Sequence, residues 1–526
     1  MTLKRATACV VGMLVVAVAT VAAAGPDVRL VDAAKQGDAR AVRALLTQHV
    51  DINARRTDGS TALMWLVYHD DRDTAGLLIA AGADVNAANE NGETPLSLAV
   101  QNRNAALVEQ LLKAGANPNV AKPSGETALM TAARVGEVPM VTALMARGAH
   151  VNARETLKGQ TALMWAIAHQ HLPVVEALLA TGAEVNAAST GGSTALHFAV
   201  QQGDVAAATR LLAAGADANA TMTVRQIDDV TQPYVETVEH SSPLSLAIAI
   251  CQAQAPRGGA RSDKVKRAPP SPVCQRQEEL GAALLDGGAN PHAPDSSGIP
   301  ILHAAVRARM TNLVEALLAH GAPPNVQVTQ ITRRPPQGQV RSGRMFFAPP
   351  MGATPFYLAA QTRNPELMRV LLAAGADPQI PAEDQTTPLM AAAGVSARGT
   401  RPVLGEDYDF APWLQADQAL EPVTLALELG GDVNAANEAG QTPMHGATTI
   451  RSPAIIQLLV DHGAKIDVTD HHGQTPLAIA ERAQADAPNI DYAEAQAGPY
   501  AAAKRTFALL TKLTEAPPAQ SSALPQ

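Results

Sequence analysis

With 526 residues, the chain is long enough for several ordinary domains or for one extended array of repeats. Hydrophobic residues make up 47% of it but aromatics only 3%, so its core must be built from Ala, Leu and Val, a composition that suits thin, closely packed helices. A formal net charge of −9 gives no reason to expect a nucleic-acid-binding surface over the whole molecule and leaves only local basic patches.

The first stretch, "MTLKRATACVVGMLVVAVATVAAAGPD", places Lys4 and Arg5 before an apolar run from Ala6 to Ala24 that ends in small residues. This three-part pattern reads as a secretory signal peptide over 1–24, cleaved after Ala24, with an uncleaved membrane anchor as the alternative. Either way the positive residues stay inside and the rest of the chain is delivered outside the cytoplasm, to the periplasm or the medium. Cys9 belongs to the apolar segment.

From there a single unit recurs. "GETPLSLAVQNRNAALVEQLLKAGANPN" from Gly92 is followed by "GETALMTAARVGEVPMVTALMARGAHVN" from Gly125 and "GQTALMWAIAHQHLPVVEALLATGAEVN" from Gly159. The opening Thr falls at Thr61, Thr94, Thr127, Thr161, Thr194, Thr354, Thr387, Thr442 and Thr475. Its side-chain oxygen can accept from the free amides of a helix start, and the Pro that follows, as at Pro95 or Pro355, fits the first helical turn. A second apolar segment such as "LVEQLLKAG" has helical spacing and ends at a Gly able to take the left-handed conformation, as at Gly115. Helices this short are marginal alone, so each unit must bury its Ala and Leu faces on its neighbours.

These residues resemble the ankyrin repeat, with its Gly-x-Thr-Pro-Leu-His-x-Ala-Ala opening and its Leu-Leu-x-x-Gly-Ala ending. The resemblance implies an all-α solenoid of about twelve helix-turn-helix units with hairpin fingers, running over 25–513, with 514–526 as a disordered tail. The first unit, "LVDAAKQGDARAVRALLTQHVDIN", lacks the Thr-Pro opening and has His49 where Gly is expected; it and the last unit read as solvent-facing caps.

Four insertions break the array. Residues 221–241 and 326–351 fall between units, where the family has its fingers. Residues 252–277 and 394–419 fall between the two helices of one unit and should emerge at the opposite edge. The 252–277 loop carries Arg257, Arg261, Lys264, Lys266, Arg267 and Arg276, and the 326–351 loop Arg333, Arg334, Arg341 and Arg344; the 394–419 loop is acidic, with Glu406, Asp407, Asp409 and Asp417. Tyr234, Phe346, Phe347, Tyr408, Phe410 and Trp413 all lie in insertions, and Met345, Phe346 and Phe347 form the sharpest candidate for a contact patch. Packing of these aromatics onto the array, or simple disorder of the Pro-rich stretches, are the competing readings.

Cys251 and Cys274 bracket the basic stretch "CQAQAPRGGARSDKVKRAPPSPVC". One ends a first helix and the other sits just before the second, so a disulfide across the neck is expected in an oxidising compartment; free thiols and a metal site are the alternatives.

His197, His303 and His445 occupy the repeat's own His position and read as structural, while Met64, Met130, Met164 and Met390 there read as packing. No nucleophile elbow, phosphate loop or zinc-ligand spacing appears, so no catalytic, cofactor or metal residues are assigned. In arrays of this kind the concave groove is lined by the two variable residues after Ala-Ala. Carried over, these are Tyr68 and His69, Gln101 and Asn102, Arg134 and Val135, Ala168 and His169, Gln201 and Gln202, Arg307 and Ala308, and Gln361 and Thr362. Trp65 and Trp165, one turn earlier, read as core, with a role as contact residues the alternative. The resemblance thus implies a monomeric, non-catalytic scaffold that binds a protein or peptide, touching a membrane only if the first segment stays uncleaved. A secreted effector acting on host proteins, or an enzyme or small-ligand binder using the insertions, are the other readings.

Overall fold

A computed structural model describes residues 27–227, 236–253, 271–295, 297–330, 349–395, 419–485 and 499–515. These residues form helices throughout, apart from one two-stranded hairpin, and they divide into two compact bodies, Met1–Leu157 and Lys158–Gln526.

The N-terminal body has four helix pairs: α1 (Arg29–Lys35) with α2 (Ala39–Leu46), α3 (Ala62–Tyr68) with α4 (Arg72–Ala80), α5 (Pro95–Gln101) with α6 (Ala105–Lys113), and α7 (Ala128–Val135) with α8 (Val138–Ala146). The first helix of each pair stacks on the first helix of the next, and the second helices do the same. The core is the layer between the two ranks, filled by residues such as Leu30, Leu63, Leu78, Leu96, Leu111 and Leu129. We call the two ranks inner and outer.

The C-terminal body repeats this plan. It opens with α9 (Ala162–Ala168), α10 (Leu172–Ala180), α11 (Ala195–Gln202) and α12 (Val205–Ala213). The hairpin β1 (Met222–Ile227) and β2 (Glu236–Ser241) follows, then α13 (Pro243–Ala253), α14 (Pro272–Asp286), α15 (Ile301–Arg307) and α16 (Thr311–Ala319). The last helices are α17 (Pro355–Gln361), α18 (Pro365–Ala373), α19 (Pro388–Ala393), α20 (Leu420–Glu428), α21 (Pro443–Thr449), α22 (Pro453–Asp461), α23 (Pro476–Ala485) and α24 (Pro499–Glu515). Among the described residues no helix is long and apolar enough to cross a membrane.

Local chemistry explains where each helix starts and stops. The Thr hydroxyls accept from the amide three residues on, as from Met64 to Thr61, Ser97 to Thr94, Tyr357 to Thr354 and Met390 to Thr387. Outer helices end at left-handed glycines such as Gly82, Gly115 and Gly148, and His49 takes the same conformation at φ 56° in the first pair.

Between pairs, an asparagine ladder joins the finger turns. Asn53 Nδ2 donates to the Gly82 carbonyl while its Oδ1 accepts from Asp84 N, and Asn86 and Asn119 repeat both bonds on Gly115 and Asn117, and on Gly148 and His150. In the C-terminal body Asn186, Asn219, Asn325 and Asn434 do the same, and Gln379 stretches to the Leu429 carbonyl.

Two boundaries differ from the sequence reading, at the 252–277 stretch and at the C-terminal end of the array, and the 221–241 insertion contains a hairpin. The stretch at 252–277 is shorter as an insertion than expected, because α13 continues to Ala253 and α14 begins at Pro272; Cys274 lies in the first turn of α14 and not before it. Ser271 and Pro272 form an N-cap and first-turn pair that the count from the repeat pattern placed inside the loop. Residues 221–227 and 236–241 form an antiparallel ladder from Met222 opposite Ser241 to Ile227 opposite Glu236, tied to the preceding finger by Thr223 N donating to the Gly191 carbonyl. Finally, α24 buries Thr506 and Leu510 and runs to Glu515, past the expected end of the array at 513, with the Thr514 hydroxyl donating to the Leu510 carbonyl.

Candidate functional site

The carried-over residues fall at the C-terminal ends of the inner helices, just where each chain turns toward its outer helix. In the N-terminal body Tyr68 is 57% exposed, and His69, Gln101, Asn102 and Arg134 are also exposed, with Val135 half-buried. In the C-terminal body His169, Gln201 and Gln202 are exposed, whereas Arg307 and Gln361 are half-buried. Burial lowers the Arg307 guanidinium from its ordinary value, and Asp295 opposes that shift. Met345, Phe346 and Phe347 lie outside the described residues.

Many of these side chains are already engaged. Gln101 Nε2 donates to both Glu93 oxygens at 3.0 and 2.9 Å. Lys122 Nζ lies 2.9 Å from Glu93 and 3.4 Å from Glu126, and Arg134 lies 3.7 Å from Glu126. Burial opposes ionisation of Glu93, but hydrogen bonds from Ser97, Lys122 and Gln101 outweigh it and hold the carboxyl below its ordinary value. Asn102 Nδ2 donates to the Val67 and Tyr68 carbonyls and so closes the end of α3. The sequence reading missed this network; its signal was the Glu before Thr in both "GET" openings, with Lys122 between them.

The aromatic floor is more open than expected. Trp65 is half-buried: its indole donates to Ser60 Oγ at 3.1 Å, its face carries Lys35 Nζ at 5.1 Å from the ring centre, and Tyr68 stands edge-on at 5.7 Å. His69 lies 5.5 Å from Tyr68, and its Nε2 bonds to the Lys35 carbonyl. Trp165 and Phe198 are half-buried on the corresponding face of the C-terminal body.

At the turn between inner and outer helix several positions hold left-handed residues other than Gly: Asp70, Arg103, Gln170, Arg309, Arg363 and Arg451. Such a φ is strained for a side-chain-bearing residue, and here the side chain compensates. Arg103 donates to the Val135 carbonyl, Arg309 to that of Thr362 and Gln170 to that of Gln202, each at the C-terminus of the next inner helix. A cation there also complements the helix dipole.

The three repeat histidines are buried and joined to the following repeat. Thr194 N donates to His197 Nδ1, so Nε2 carries the proton and donates to the Ser241 carbonyl; His445 does the same with Thr442 N and the Gln474 carbonyl. His303 Nε2 donates to the Ala353 carbonyl at 2.9 Å, but its Nδ1 is buried without a partner among the described residues, because Pro300 stands where the other two His repeats have Thr. Burial depresses all three imidazoles, His303 to about 4.

Cys251 and Cys274 face each other across the base of the inserted stretch, with Cα atoms 4.8 Å apart and sulfurs 2.02 Å apart. An open hollow of about 420 Å³ lies on the outer helices by Arg369, Leu420, Glu421 and Glu428, away from the inner-helix row. Among the described residues no group of three or more His, Cys, Asp or Glu side chains is placed to hold a metal ion.

Comparison with known proteins agrees with this architecture. The family description "Ankyrin repeats (3 copies)" matches residues 30–122, 98–189 and 129–222, and "Ankyrin repeat" matches 351–383 and 439–471. The chain is 35% identical over 71 residues to "Ankyrin repeat-containing protein P1E11.10" of Schizosaccharomyces pombe, across 13% of this chain and 34% of that protein. It is 34% identical over 215 residues to "Ankyrin repeat and SOCS box protein 16" of Homo sapiens, across 36% of this chain and 42% of that protein. It is also 43% identical over 56 residues to "Potassium channel AKT1" of Oryza sativa subsp. indica, across 11% of this chain and 6% of the channel. The chain therefore spans less than half the length of each of these relatives.

Proposed function

Because this chain belongs to the ankyrin repeat family, we propose that it is a non-catalytic scaffold that holds a protein or peptide partner along the exposed ends of its inner helices, outside the cytoplasm. The observation that carries the reading is the exposure of these helix ends in each body: Tyr68, His69, Gln101, Asn102 and Arg134 in the N-terminal body, and His169, Gln201 and Gln202 in the C-terminal body, at the ends of short helices whose opposite faces are locked in the core. Rigid scaffolds of this kind bind at low entropic cost, because the contact residues are held in place before the partner arrives.

Export rests on the Lys4, Arg5 and Ala6 to Ala24 pattern. Export also gives the Cys251 and Cys274 pair a compartment in which it oxidises to a disulfide. The relatives named above share only the repeats with this chain, and none of their activities is carried over.

The test is capture of partners from the envelope fraction of the producing cells by the intact chain, and by a variant in which Gln101, Gln201 and Gln202 are all changed to Glu. The variant should lose most of the captured material, and circular dichroism checks that its helices are retained, because Gln101→Glu sets a second carboxylate beside Glu93. Equal capture by both would refute the assignment of the row.

A further inference from the structure

We infer that the Lys35, Trp65 and Tyr68 cluster is an anchor subsite for a partner segment that presents an Asp or Glu carboxylate beside an aromatic side chain; this rests on the scaffold reading above. The argument starts from what is left unpaired. Around the inner helices and finger turns of the N-terminal body several basic side chains are paired internally: Arg56 with Asp32, Arg55 with Asp84, Lys122 with Glu93 and Glu126, and Arg134 with Glu126. Lys35 differs. Its ammonium sits over the Trp65 indole, with no carboxylate in ion-pair range among the described residues.

Tyr68 is left open in the same way. It is 57% exposed, its ring stands edge-on to Trp65 and His69, and its hydroxyl makes no hydrogen bond among the described residues. An ammonium and a phenol, two exposed donors with no protein acceptor among the described residues, thus flank one indole.

The platform is rigid. Asn102 holds the Val67 and Tyr68 carbonyls, Ser60 holds the indole nitrogen, and His69 is fastened to the Lys35 carbonyl. Tyr and Trp held this way are the residue types that dominate binding hot spots, because they bury large area with little loss of rotamer freedom.

Charge complementarity selects the occupant. An incoming carboxylate gives Lys35 the counter-ion it lacks and accepts from the Tyr68 hydroxyl, while an adjacent aromatic ring packs against the exposed Tyr68 ring. A basic segment would instead meet an uncompensated ammonium.

The experiment is selection of phage-displayed random peptides on the full chain, followed by affinity measurement of the recovered peptides on Lys35→Glu, Tyr68→Ala and the Gln101, Gln201, Gln202 triple variant. The expected result is enrichment of sequences with Asp or Glu next to Phe, Tyr or Trp, whose affinity falls about tenfold or more on either Lys35→Glu or Tyr68→Ala. Peptides that lose affinity on the triple variant but bind Lys35→Glu and Tyr68→Ala as tightly as the parent would overturn the subsite and leave the scaffold reading standing. Peptides indifferent to all three variants would overturn both. Both single substitutions are at exposed positions, and circular dichroism of each confirms that the helices are retained.

Discussion

Replacing Pro300 by Thr should stabilise the repeat that contains α15. In two equivalent repeats the Thr amide donates to the histidine Nδ1, at 3.2 Å for Thr194 and His197 and 3.1 Å for Thr442 and His445. Pro300 has neither an amide hydrogen nor a hydroxyl, so α15 lacks its side-chain cap and His303 Nδ1 is stranded in the core. The backbone at Pro300, φ −55° and ψ 136°, lies in the same extended region as Thr194 at φ −93° and ψ 170°, so Thr fits with a modest adjustment. Restoring the cap is worth about 1 kcal/mol. Satisfying a buried acceptor adds roughly 1 to 2 kcal/mol. Losing the proline's restriction of the unfolded chain subtracts about 0.4 to 1 kcal/mol. The expected gain is therefore about 1 to 2 kcal/mol. Native-state hydrogen exchange followed by mass spectrometry reads it locally, which suits an array whose repeats need not unfold together. Amides of α15 should exchange about tenfold more slowly in Pro300→Thr. Unchanged or faster exchange, with the helix retained, would refute the account of the orphaned imidazole.

Further outcomes follow from the same contacts. Burial lowers His303 to about 4 from an ordinary 6.5, so its neutral form is favoured in the fold: the resulting stability is present above pH 6.5 and is lost as pH falls from there toward 4. That loss amounts to about 3 kcal/mol, and acid titration of exchange in α15 should show it, whereas His303→Gln should flatten the profile. Tyr357 takes the His position of its repeat with its hydroxyl buried and without a partner among the described residues, and burial pushes the phenol well above its ordinary value. Tyr357→Phe should thus leave the thermal midpoint unchanged or raise it; a marked drop would show that the hydroxyl has a partner. Cys251 and Cys274 pair across the neck of the insertion, so Cys274→Ser should loosen the α13 and α14 pair by about 3 kcal/mol on the chain-entropy model. Thiol labelling of the unfolded, unreduced protein checks the bond itself, and reaction of two thiols there would contradict it.

How far the sequence could be read depended on whether the information was periodic. Thr61, Thr94 and Thr127 predicted their helix starts because capping depends only on residues three apart, and Gly115 predicted a helix end for the same local reason. The start of α14 at Pro272 was missed because an insertion removes the period, and the Ser271 cap is then one polar residue among many. The exposed row was legible in position but not in state. Nothing in "GETPLSLAVQ" says that Gln101 bends back to Glu93, since Lys122, the third member, comes from the next finger. Trp65 was read as core because its spacing is that of the packed face. The structure leaves it half-buried because Lys35 and Tyr68, from successive repeats, cover only part of the ring.

Site-specific photo-crosslinking tests the central claim most directly. A photoreactive amino acid at Tyr68, Gln101 or Gln201 on the inner row should give covalent adducts with a partner in intact producing cells. The same residue at Leu77 or Lys113 on the outer helices should give none. Adducts from the outer positions alone would contradict the reading of this chain as a scaffold that binds along its inner helices.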